Sequence, residues 1–270
     1  ADERRGIPTP HRSLANHHAS RSWIGSSRDF GAHAAILVGD FLFSAATAAA
    51  DEQALRLDEE RARAFARRFA DMHAEVALGQ YLDIAAEQTP LDPERSDVLN
   101  VSDALEVALH KSAHYSVVHP AILGAICGAS TLDDGEALAR SLEEILTPWG
   151  LAFQLRDDDL GVFGDPAVTG KPAGDDLREG KRTVLLALTW EASSPAERSA
   201  LTEVLGVAEA SPERLSAATR IVEANGRAPH EAEIARLVAD GHAALEASSF
   251  DDGARAMLRE LCAILTARRA

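Results

Sequence analysis

Only two cysteines occur in the chain, Cys127 and Cys262, both in apolar, helix-like surroundings. Two such residues make no disulfide framework, and the pattern suits a reducing compartment. Aromatic residues are scarce, at 5%, and strand-like stretches of β-branched residues are few, which argues against a sheet-built core. No run is read as reaching the roughly eighteen apolar residues of a membrane span, and the first residues do not read as a signal peptide. A cytoplasmic protein is therefore expected. Positive charge is also in deficit: 27 Lys and Arg stand against 43 Asp and Glu, a formal charge of −16. Without a basic stripe, nucleic acid is not an expected partner.

Ala, Leu, Glu and Arg dominate instead, and apolar residues, 46% of the chain by the broad count, recur mostly three and four apart. That period predicts an all-α protein. No Pro-, Gly- or Ser-rich linker interrupts it, so residues 1–270 are expected to form a single domain. Ala32 to Ala50 is apolar on nearly all sides, which predicts a buried helix with Asp40 paired inside it. Asp51 to Glu87 reads as one long amphipathic helix, closed by Leu91-Asp92-Pro93. Val117 to Ala129 reads as a second buried, close-packed helix.

Apolar packing does not explain the run from Phe153 to Thr183, FQLRDDDLGVFGDPAVTGKPAGDDLREGKRT. Asp157, Asp158 and Asp159 repel one another, and Gln154 lies one helical turn before Asp157 and Asp158 on the same face. The chain is expected to leave its helix through Gly161, Gly164 and Asp165-Pro166. Carboxylates gathered at a helix end suit magnesium, which takes one or two of them, keeps waters and accepts phosphate oxygens. Lys171 and Lys181, flanking Asp175-Asp176, would add point charges for those phosphates. The overall negative field repels a phosphorylated ligand, so binding has to come from local cations and metal dependence should be strict.

The same run resembles the second aspartate-rich region of the trans-isoprenyl diphosphate synthases (polyprenyl synthetases). One position departs from the family's fuller DDxxD form: Gly161 stands at the third acidic place, as in many geranylgeranyl-type members. RRGIPTPH at 4–11 resembles RRGxPTxH, which follows the family's first aspartate-rich motif. By that alignment the last Asp of the first motif falls two residues before Ala1. The 270 residues therefore lack that motif and are read as part of a longer chain, with a truncated member as the alternative. GDFLF (39–43), GQYLD (79–83) and KSAHY (111–115) resemble the family's GDxL, GQxLD and KTxxY elements, with Ser112 replacing Thr in the last.

The resemblance implies an isoprenoid-synthase helical bundle around a central apolar cavity, usually homodimeric, that joins isopentenyl diphosphate to an allylic diphosphate with Mg2+. It places the metal on Asp157 and Asp158. Arg4 and Lys111 would meet the allylic diphosphate, Arg5 the isopentenyl diphosphate, and Ser112 would hydrogen-bond nearby. Gln154, Lys171 and Lys181 complete the expected substrate contacts, and Gln80 and Asp83 are further candidates. The Ala-rich helices 32–50 and 117–129 are expected to wall the tunnel for the prenyl tail. A bacterial geranylgeranyl-type enzyme fits best, with a C20 product and C15 next. A class I terpene cyclase and an inactive regulatory subunit are the alternatives. His110 and His114 stand four apart, a spacing used for zinc, but no acidic residue accompanies them in an HExxH arrangement, so no zinc is expected.

Overall fold

Polar side chains at segment starts turn helical periodicity into bounded helices, because they accept backbone N–H groups that have no partner in the first turn. The computed structural model describes residues 2–4, 6–165 and 174–266. Ser26 caps α2 (Ser27–Ala54) by accepting from Asp29 N, and Asp58 caps α3 (Glu59–Gln88) by accepting from Arg61 N. The single helix expected over Asp51 to Glu87 is therefore two, separated at residues 55–58. The N-terminal segment pairs β1 (Glu3–Arg4) with β2 (Ile7–Pro8) before α1 (Pro10–Ser20).

Asn100 caps α4 (Val101–Ala108), which runs into a π-helix (Leu109–Val118) and then α5 (His119–Gly128). The π turns occupy the segment whose KSAHY resembles the KTxxY element. Next comes α6 (Leu132–Phe163), 32 residues long and capped by Thr131. Short α7 (Asp175–Glu179) and α8 (Val184–Ala192) follow, then α9 (Pro195–Thr202) and α10 (Pro212–Asn225). The described chain ends with α11 (Arg227–Ala247) and α12 (Asp252–Thr266). The architecture is an all-helical bundle.

The core forms around α6. Ile145, Leu146, Trp149, Ala152 and Leu155 are all buried at spacings of one to four, a wide apolar face typical of a helix enclosed by others. Trp149 donates its indole N–H to the Val238 carbonyl of α11 at 3.2 Å, so its polar edge is satisfied inside the core. One apolar cluster joins α6 to Ile122 and Ile126 of α5 and Leu245 of α11. A second, with Val162, Leu177, Leu185, Trp190 and Val222, holds the far end of α6 against α7, α8 and α10. One face of α5 is buried, as expected for 117–129, but Pro120, Gly124 and Gly128 are exposed and residues 117–118 belong to the π-helix.

The expectation for 32–50 does not hold. Phe41, Leu37, Ile36, Leu42 and Phe43 of α2 are between 52% and 71% exposed, and Asp40 is exposed rather than paired inside a core. Within α2 the fully buried residue is Gly31, against α1. An apolar composition marks a helix for burial, but the partner has to be present, and among the described residues only one side of α2 is covered. By length and composition Ser27–Ala54 is also long and apolar enough to cross a membrane. That corrects the expectation that no such run exists.

Candidate active site

A cavity of about 1370 Å³ lies between α3, the π-helix, α6 and the α7 region. Three turns of sequence logic bring charge into it. On α6, Gln154, Asp157 and Asp158 share one face and line the cavity. Gln154 Nε2 donates to Asp158 Oδ1 at 2.7 Å, which fixes the direction of that carboxylate. Asp159 turns away and lies 3.8 Å from Arg156 and 3.7 Å from Arg227 of α11. The acidic run is thus divided: two carboxylates for the cavity, one for a structural ion pair.

The helix does not end at these residues. It continues through Gly161 to Phe163, because Val162 is buried in the second apolar cluster and Asp159 is offset by two guanidinium groups. Gly161 has a role other than leaving the helix. A Cβ built there would lie 1.9 Å from Asp176 Oδ2, so the bare glycine backbone makes room for the Asp176 carboxylate. A carboxylate from α7 thus lies beside the third motif position, where the sequence has glycine. Asp176 is buried, and its Oδ1 lies 2.8 Å from Lys181 Nζ, which also reaches Glu179 at 3.1 Å.

The other wall is built by close backbone approach. A Cβ on Gly79 of α3 would meet Lys111 N at 2.4 Å, so glycine is what lets the π-helix lie against α3. Lys111 Nζ then sits 2.5 Å from Asp83 Oδ2, and Gln80 Nε2 donates to the same oxygen at 3.1 Å. Arg182 is directed by the Gly180 carbonyl at 2.7 Å and the Glu87 carbonyl at 3.3 Å.

Burial, reinforced by negative charge on Asp176 and opposed by the Gln154 hydrogen bond, pushes the Asp158 carboxyl up to about 8. Burial opposes the charge on Lys181, but the carboxylates of Asp176 and Glu179 hold it above its ordinary range. Glu87 is raised, first by burial and then by Asp83. Asp157, Asp158 and Asp176 converge on one cavity, and crowded carboxylates whose charge is disfavoured by burial and by one another are what a hard dication bound by oxygen ligands would relieve. On that ground the residues fit magnesium.

Of the expected site residues, Asp157, Asp158, Gln154, Lys111 and Lys181 line the cavity together with Gln80 and Asp83. Ser112 is half-buried on the π-helix and is not among the lining residues. Arg4 belongs to β1, with its side chain outside the described part, and Arg5 and Lys171 lie outside the described residues. The tunnel walls expected from 32–50 and 117–129 are not in the lining, because α2 faces outward and α5 is spent on the core. Sequence reasoning gave no role to Asp176, Arg182 or Glu87. The paired Asp175-Asp176 and the basic Lys181-Arg182 were the available signals; what was missing was which member faces inward.

The polyprenyl synthetase family matches residues 1–222. The chain belongs to that family. A geranylfarnesyl diphosphate synthase of Aeropyrum pernix is 31% identical to this chain over 235 residues, covering 87% of this chain and 64% of the relative. A (2E,6E)-farnesyl diphosphate synthase of Mycobacterium tuberculosis is 31% identical over 246 residues, covering 87% and 62%. The chain thus spans a little under two thirds of the length of these curated relatives. The crystal structure of a geranylgeranyl pyrophosphate synthase from Corynebacterium glutamicum, complexed with isoprenyl diphosphate and magnesium, aligns with a TM-score of 0.85. That alignment has 38% identity and covers all of this chain and 72% of the other.

Proposed function

We propose that this polyprenyl synthetase condenses isopentenyl diphosphate with an allylic diphosphate, giving a short-chain trans-prenyl diphosphate of C20 length. The observation that carries the reading is the convergence of Asp157, Asp158 and Asp176 with Lys181 and Lys111 on one cavity. A phosphorylated substrate in a protein of charge −16 needs such local cation binding.

Magnesium held by Asp157, Asp158 and Asp176 would stabilise the negative charge that grows on a departing pyrophosphate. Lys111, paired with Asp83 at the cavity wall, and Lys181, anchored by Asp176, would hold the leaving group as point charges. The allylic C–O bond breaks, the isopentenyl double bond attacks the allylic carbon, and a proton leaves the new cation to the pyrophosphate. No nucleophilic side chain is needed. Gln154 keeps Asp158 aimed at the cavity. The exposed apolar face of α2 fits a second copy of the chain, paired about a two-fold axis so that the same face serves both partners.

Incubation with labelled isopentenyl diphosphate, an allylic diphosphate and Mg2+, followed by chromatography, tests the reading. An elongated C20 prenyl diphosphate is the expected product. A cyclised hydrocarbon made without isopentenyl diphosphate would point to a terpene cyclase, and no turnover would point to a regulatory subunit.

A further inference from the structure

Beside the cavity, but outside its lining, Glu75 of α3 is surrounded by three imidazoles. His110 Nδ1 and His114 Nδ1 each lie 2.6 Å from Glu75 Oε1, and His119 Nε2 lies 2.6 Å from Oε2. The acidic partner that the histidine spacing lacked in sequence comes from another helix, 35 residues earlier. Neighbouring rings meet edge to face, His110 with His114 at 5.9 Å and His114 with His119 at 5.6 Å. Burial works to raise the Glu75 carboxyl, but hydrogen bonds from His119, His110 and His114 prevail and bring it to about 2.

The π-helix is what assembles this set. An α-helix turns about 100° per residue and would carry residue 119 to the side opposite His110. The wider i→i+5 turns over Leu109–Val118 wind more slowly and return His119 to the same face.

From this geometry we propose that Glu75, His110, His114 and His119 form a binding site for a zinc-class transition-metal dication, separate from the magnesium carboxylates. Three imidazoles and one carboxylate are a four-ligand set of the type zinc takes, whereas magnesium prefers oxygen ligands. The donor atoms of Glu75, His110 and His114 all lie within 4.8 Å of one another. Ligand atoms on a tetrahedral zinc lie about 3.3 Å apart, so small rotations of these three side chains bring their donors to coordination spacing, with His119 reaching the set through Glu75 Oε2. The Glu75 carboxylate accepts from His119 Nε2, while His119 Nδ1 is buried without a partner among the described residues, so a dication at Nε2 would take the place of that proton. His110, at 31% side-chain exposure, leaves a path from solvent.

Calorimetric titration with Zn2+ under saturating Mg2+, with Co2+ absorption as a second readout, tests the site. One zinc per chain is expected, together with the intense visible band of four-coordinate cobalt. His114→Ala and the near-isosteric Glu75→Gln should each weaken zinc binding at least about tenfold, while an Asp157→Asn, Asp158→Asn double variant binds zinc unchanged. Zinc should also raise the melting temperature of the unaltered chain. Absence of the cobalt band in the unaltered chain would overturn the proposal even if a variant failed to fold. Zinc affinity that survives His114→Ala, or that disappears with the two aspartates, would overturn it as well.

Discussion

Asp157 carries negative charge in a cluster that already has too much of it, and this separates its functional weight from its structural weight. Removing it from a like-charge group costs the fold little, while a metal site loses a ligand. Asp157→Ala should therefore lower turnover by orders of magnitude with the melting temperature nearly unchanged; activity equal to the parent would remove Asp157 from the metal site. Gly161→Ala tests the neighbouring carboxylate. Alanine is favoured over glycine in a helix interior by about 1 kcal/mol, but its methyl would overlap Asp176. Displacement of Asp176 should weaken Mg2+ binding at least about tenfold, measured by titration, and unaltered affinity would mean that Asp176 does not serve the ion.

His230 gives a pH signature at the same scale. It is fully buried, neither ring nitrogen has a partner among the described residues, and burial lowers it from 6.5 to about 4. Above 6.5 the ring is neutral whether the chain is folded or not. As pH falls from 6.5 to 4, the unfolded chain takes up a proton that the folded one refuses. Stability present above 6.5 is therefore lost across that window, by up to about 3 kcal/mol. Urea melts at about pH 7.5 and pH 4.5 should show His230→Leu losing less stability than the parent; equal losses would show that His230 is not the titrating group.

At the scale of single elements, α2 stands out. Its outward row of Ile36, Leu37, Phe41, Leu42 and Phe43 exceeds what an isolated surface helix usually exposes. If that row pairs with its copy, light scattering should give twice the chain mass, and Phe41→Asp with Leu37→Asp should return it to the single-chain value without loss of helicity. A monomeric parent would refute the pairing. The segment over 109–118 depends on context in another way. Its apolar spacing reads as an ordinary helix, and the wider turns become visible only where Gly79 lets α3 press against it.

For the molecule as a whole, the net charge of −16 makes cations the condition for holding a diphosphate. EDTA should abolish condensation and added Mg2+ should restore it; turnover persisting in the chelator would contradict the charge argument. Helical class, the buried face of α5 and the charged run holding Gln154, Asp157, Asp158 and Lys181 were legible in sequence, because periodicity and charge clustering are local properties, whereas Lys111 was singled out only by the resemblance of its motif. The exposure of α2 was not, because burial requires a partner and composition does not say whether one is there. Nor was the grouping of Glu75 with His110, since the two residues lie far apart in the chain and on different helices.

The sequence by itself determined the helical class and a dense acidic run, since these follow from spacing and from the chemistry of neighbouring residues. The tertiary structure alone decided that Asp159 would face Arg227 while Asp158 faced the cavity. It alone brought Asp176 over Gly161 and three imidazoles around one carboxylate. Electrostatics between segments depends on distances through space, and those exist only once the helices have packed.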